Sequence, residues 1–142
     1  MSGHQQGLRK LCNALSSGTA RFQWLILDFN TTLGDGAAMI AHAASCNTNL
    51  RCISFNGKHE LHQTVHSNTH HLYFYPTGCA LSPQCVCEIL EAFFQNPGSS
   101  LEFLDMSCNF MDEKAVKLVV DLVTAPSSRL GHICLDSLDK DL

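Results

Sequence analysis

Apolar residues in this chain fall into short triplets at fixed spacing rather than into long runs. In Phe22-Gln-Trp-Leu25-Ile-Leu27-Asp-Phe-Asn30, apolar side chains hold offsets 0, 3 and 5, and an asparagine stands at offset 8. Leu101-Glu-Phe-Leu104-Asp-Met106-Ser-Cys-Asn109 has the same arrangement. Leu50, Ile53 and Phe55 repeat the first three positions, as do Leu130, Ile133 and Leu135. The starts at 22, 50, 101 and 130 are 28, 51 and 29 residues apart. Self-similarity at this period marks a chain whose units bury their apolar faces against one another. The double-length middle gap is expected to hold two units. Its extra strand is placed near 71, where Leu72-Tyr73-Phe74-Tyr75 is the β-rich run. Residues 57–70 are the least regular part.

Helical spacing follows the triplets. Leu81-Ser82-Pro83 opens the clearest helix, with Ser82 as cap, Pro83 in the first turn, and Val86, Ile89, Leu90 and Phe93 inward. Asp112 is expected to cap another, with Ala115, Val116, Val119, Leu122 and Val123 inward. Asp35 is expected to cap an earlier one over Ala37, Ile40, Ala41 and Ala44. Leu8, Leu11, Cys12 and Leu15 predict a helix before the first strand. Turn-rich links end the helices at Ser16-Ser17-Gly18, Cys46-Asn47, Ser67-Asn68, Asn96-Pro97-Gly98 and Ala125-Pro126-Ser127. A doubly wound α/β fold also alternates strands and helices, but gives no reason for an asparagine at a constant offset.

These segments, with Cys79-Ala-Leu81-Ser82-Pro-Gln-Cys85, resemble the alternating asparagine-type and cysteine-type units of leucine-rich repeats of the ribonuclease-inhibitor class. Such repeats occur in ribonuclease inhibitor, in NACHT–leucine-rich-repeat immune receptors and in the Ran GTPase-activating protein. The likeness covers about residues 7–138. It implies an α/β fold, a short solenoid or horseshoe segment with a parallel sheet on the concave side and helices on the convex side. Residues 1–142 then form a single domain of about four to five repeats, with strands starting near 22, 50, 71, 101 and 130. It also implies a structural ladder in which buried Asn30 and Asn109, and more weakly Cys79, bond the backbone of the adjoining unit. The pattern is broken by Lys58 and Leu138, which occupy offsets where asparagine is expected. Leu8-Leu11-Leu15 and Leu130-Ile133-Leu135 are expected to be uncovered ends, open to stacking self-association.

In such an array the pleat sends offsets 2, 4 and 6 to the concave side. The candidate partner-binding residues are therefore Trp24, Ile26, Asp28, Tyr73, Tyr75, Phe103, Asp105 and His132. Aromatic side chains supply large contact area for little lost rotamer freedom. Asp28 and Asp105, with Asp136, favour a protein partner that has a basic surface.

Composition narrows the classes. With 142 residues, 45% hydrophobic and 15% charged, the chain suits one domain with a core. A net charge of −4 and a pI near 6.0 argue against nucleic-acid binding. Ala37–Ala41 is the longest unbroken apolar run, so no membrane span is expected. The N-terminus has no apolar signal core, and most of the eight cysteines sit among apolar neighbours. Reduced thiols in a cytoplasmic protein are expected.

The chemistry-bearing clusters are weak. His59, His62, His66 and His70 are spaced to share one helix face, and His62-x-x-x-His66 has zinc-ligand spacing. There is no Cys-x-x-Cys, and His59-Glu60-Leu61-His62 is not the zinc-hydrolase signature. No metal or cofactor is expected. Gly34-Asp35-Gly36 is too short for a phosphate loop, and Asn30-Thr31-Thr32 is read as a false glycosylation match. No nucleophile elbow appears. The expectation is a non-catalytic protein-binding module, a sensor or regulatory segment of an immune-receptor-like protein. The alternatives are an accessory acting on an enzyme, in the manner of a nuclease inhibitor or GTPase activator, and a metal-binding domain.

Overall fold

The structure is a computed structural model and describes residues 3–30, 33–56 and 81–135. Helices and three-residue strands alternate along the chain: α1 Gly3–Ser16, β1 Trp24–Ile26, α2 Gly36–Ser45, β2 Cys52–Ser54, α3 Pro83–Phe94, β3 Phe103–Asp105, α4 Glu113–Thr124 and β4 His132–Cys134. The class is α/β. Among the described residues, four strands lie parallel in one sheet, in sequence order. Helix packing follows the same order, α1 on α2, α2 on α3 and α3 on α4.

The apolar triplets form the strands for a physical reason. Their middle residues, Leu25, Ile53, Leu104 and Ile133, stand in one row across the sheet and pack toward the helices. Backbone bonds flank that row in a recurring pattern. Leu27 N–H donates to Ser54, Phe55 N–H to Asp105 and Met106 N–H to Cys134, at 2.8–2.9 Å. At the other end, the N–H groups of Arg51 and Cys52 converge on Gln23, Glu102 and Phe103 on Arg51, and Gly131 and His132 on Glu102.

The strand expected near 71, carrying Tyr73, Tyr75 and Cys79, lies outside the described residues, as do 57–70. However, β2 pairs directly with β3, so no fifth strand stands between them. The extra length instead enters between a strand and a helix. The β2–α3 connection has 28 residues, against 9 between β1 and α2 and 7 between β3 and α4.

The core is filled from both layers. Ala37, Ile40, Ala41 and Ala44 of α2 and Val86, Ile89, Leu90 and Phe93 of α3 meet Leu50, Ile53, Phe55, Leu101, Leu104 and Met106. Burial fades toward both ends: Leu25, Leu27, Leu130, Ile133 and Leu135 are half-buried. Phe22, expected inward, is exposed because β1 has a strand on one side only. Val116 and Val123 are also exposed rather than inward, since α4 meets a helix only at α3; Ala115, Val119 and Leu122 hold its core face. Leu15, expected at an uncovered end, is fully buried.

Capping differs among the helices. Ser82 accepts from Cys85 N–H at 3.2 Å with Pro83 following, and Asp112 accepts from Ala115 N–H at 2.8 Å. Asp35 makes no such bond. Its backbone is already helical (φ −62°, ψ −16°), whereas a side-chain cap needs an extended residue to aim its oxygen back at the first turn.

Candidate functional site

The sheet face turned away from the helices carries two rows, Trp24–Cys52–Phe103–His132 and Ile26–Ser54–Asp105–Cys134. Trp24 is 68% exposed and Ile26 54%, although both are apolar. Phe103 is half-buried and His132 exposed, with ring centroids 6.4 Å apart in a tilted arrangement. Cys52 and Ser54 sit between these larger neighbours and are buried, so they form a floor rather than a contact surface.

Two carboxylates border this floor. Asp28 Oδ1 accepts the Ser54 hydroxyl and, at 2.9 Å, the Asn56 backbone N–H. Asn56 Nδ2 donates to Asp105 Oδ2 at 3.2 Å, and Asp105 Oδ1 accepts from Ser107 N–H at 2.9 Å. Asn56 thus couples the two acids, and neither is a loose surface side chain. Charge-bearing acceptors held in this way are preorganised for cationic groups. Burial, followed by the charges of Asp105 and Asp28, pushes the Cys52 thiol above its ordinary value and keeps it neutral. Arg51 and Glu102, which immediately precede β2 and β3, pair across the half-exposed end of the sheet.

Asn30 and Asn109 occupy equivalent bends. Each follows a residue in left-handed backbone, Phe29 (φ 61°) and Cys108 (φ 59°), a conformation that costs about 1–2 kcal/mol per side-chain-bearing residue. Asn30 Nδ2 donates to the carbonyls of Leu27 (2.8 Å) and Asp28 (3.3 Å). Asn109 Nδ2 does the same to Met106 (3.0 Å) and Ser107 (3.4 Å) and adds Phe55 of the adjoining strand (2.8 Å). Its Oδ1 accepts from Leu81 N–H at 3.1 Å. Asn30, expected to be buried, is exposed, because β1 is the first strand of the sheet.

One buried asparagine escaped the sequence reading. Asn47, in the link before β2, donates to Leu15 and Ala20 (2.9 and 3.1 Å) and accepts from the N–H groups of Asn49 and Leu50 (2.8 and 2.9 Å). It fastens the end of α1 to the second strand. Its spacing, three residues before Leu50, was the only available signal, and neither Asn109 nor Asn30 shares that position.

Tyr73, Tyr75, Cys79, Asp136 and the four spaced histidines lie outside the described residues. Among the described residues, no three His, Cys, Asp or Glu side chains are grouped to hold a metal. No helix there is long and apolar enough to cross a membrane. Cys12, Cys46, Cys52 and Cys87 carry free thiols. A small cleft of about 30 Å³ is lined by Phe93, Leu101, Leu122 and Leu130. Compared with protein-family models, with curated proteins and with solved structures, the chain matches none.

Proposed function

We propose that this chain is a short leucine-rich-repeat solenoid of the ribonuclease-inhibitor class and that its open sheet face binds a protein partner with a basic surface. It acts without catalysis, as a sensor or regulatory segment in the cytoplasm. The observation that carries the reading is the row Trp24–Cys52–Phe103–His132, turned away from the described helices and flanked by the coupled carboxylates Asp28 and Asp105. Exposed apolar rings beside fixed acids supply the two ingredients of a specific interface, an apolar anchor and complementary charge. The recurring backbone bonds and the paired bends at Asn30 and Asn109 support the repeat architecture.

The test compares the unaltered chain with a Trp24→Ala/Phe103→Ala variant as immobilised bait. Salt-sensitive capture of a basic protein by the first and not by the second supports the reading, provided both melt alike. Trp24 is the sole tryptophan, so its fluorescence must shift when that protein is added. Equal capture by both baits, or an unmoved Trp24 signal, counts against it.

A further inference from the structure

Trp24 and Ile26 point to the open side of β1, and Asp28, two residues on, joins them there by accepting the Ser54 hydroxyl. Successive members of this track stand about 7 Å apart along the strand. Its chemistry changes along its length: an indole ring 68% exposed, an aliphatic side chain 54% exposed, then a carboxylate. The carboxylate end is two-sided. Asp28 and Asp105 approach Asn56 from the β1 and β3 sides, and Asn56 donates its backbone N–H to the first and its side-chain amide to the second. Among the described residues, none donates to Asp28 Oδ2, and no Lys or Arg pairs with either acid; Arg51 is taken by Glu102 and Lys114 by Glu91. The floor between the acids is closed, since Ser54 is buried, so a ligand rests on the rim rather than entering the sheet.

An apolar track that ends on paired acids matches one kind of occupant. A long basic side chain carries an apolar stem and a charged head in that order, and the stem gains by covering exposed apolar surface while the head keeps its polar partners. We infer that the group recognised on this face is an arginine of the protein partner, its stem along Ile26 toward Trp24 and its guanidinium across Asn56 between Asp28 and Asp105. This rests on the open face being a protein-binding surface and names the side chain that it selects. Lysine fits less well. Two charge-assisted bonds of about 2.8 Å let one ammonium nitrogen join acceptors at most about 5.6 Å apart, whereas the two end nitrogens of a guanidinium reach acceptors about 8 Å apart. The ammonium also holds its water more strongly, and so gives up more on reaching a half-buried rim. A flat guanidinium can in addition lie against the Trp24 ring, which attracts cations to its face.

Titration of the 142-residue chain with three blocked pentapeptides tests this. They are Gly-Ser-Arg-Ser-Gly, the same peptide with lysine, and the same peptide with a dimethylated guanidinium. Binding is followed by Trp24 fluorescence and by the backbone amide signals of Ser54 and Asn56. The arginine peptide moves all three signals and binds about fivefold more tightly than either of the others, because methylation keeps the charge but blocks the forked hydrogen bonds. Asp28→Asn retains an acceptor for the Ser54 hydroxyl, so its circular dichroism matches the parent, and it removes the preference for arginine. If that variant misfolds, the dimethylated peptide on the unaltered chain decides. Equal affinity for the arginine and lysine peptides overturns the inference. So does an arginine peptide that leaves Trp24 and Asn56 unmoved, which marks binding elsewhere or a face occupied by another segment of this chain. Capture of a basic protein that needs Trp24 and Phe103, without any preference for arginine, overturns the arginine assignment alone and leaves the binding face standing.

Discussion

The side-chain amide of Asn109 donates to the main-chain oxygen of Phe55 at 2.8 Å, joining residues 54 positions apart. The same amide holds its own bend through Met106, and its oxygen receives Leu81 N–H. One buried side chain therefore fastens β3, the end of β2 and the approach to α3. Asn30 makes only the local part of this set and stands in water.

Asn109→Ala is expected to destabilise the protein by about 2–3 kcal/mol, because it leaves buried backbone groups without partners. Asn30→Ala, whose carbonyl partners can turn to water, should cost less than about 1 kcal/mol. Urea unfolding of the two variants measures the contrast. Equal losses would show that the bend alone, and not the cross-strand bond, carries the stability.

Asn47→Ala removes four hydrogen bonds that tie α1 to the second strand. A global cost of about 2 kcal/mol is expected. Amide exchange should accelerate first in α1, whose one fully buried side chain is Leu15. Uniform acceleration through α3 and α4 would mean that α1 is not a separable end.

The two aspartates that precede helices should behave differently. Asp112→Ala loses the Ala115 cap and should cost about 1 kcal/mol. Asp35→Ala loses no cap bond and should move the thermal midpoint little. Paired melting curves check this.

On the sheet, one row is expected to be nearly silent for stability and the next one costly. Trp24→Ala should change stability by no more than about 0.5 kcal/mol, since the ring is mostly in water. Leu104→Ala, one row further in and fully buried, should cost about 2–5 kcal/mol. Chemical denaturation separates the two. A large loss at Trp24 would mean that the open face is core.

Burial, aided by Asp105 and Asp28, raises the Cys52 thiol, and burial raises Cys12 and Cys87 as well. The folded chain then holds these protons more tightly than the unfolded chain does. The resulting stability is complete below the ordinary thiol value of about 9.0 and is lost as pH rises through the higher folded values. Unfolding free energy should fall as pH rises above about 9.0, less steeply in Cys52→Ala. Iodoacetamide at pH 8 should modify exposed Cys46 well before buried Cys52.

The sequence by itself determined where the four described strands lie. Leu25, Ile53, Leu104 and Ile133 recur at constant offsets because parallel strands must send the same residues of each unit into one shared core. It also determined the helices and the Ser82 and Asp112 caps, since those depend on residues within one turn. Only the tertiary structure decided what depends on neighbours distant in sequence. Spacing could not tell a hidden extra strand from a long connection between β2 and α3; the pairing of Cys52 with Phe103 decides that no strand stands between them. Nor could it tell Val86 from Val116, or Asn109 from Asn30. In each pair the local pattern is alike, and burial differs because one residue has an element packed over it while the other stands at an end of the array. Asn47 went unread for the same reason, because its bonds to Leu15 and Ala20 span 32 and 27 residues and exist only once the chain has folded back.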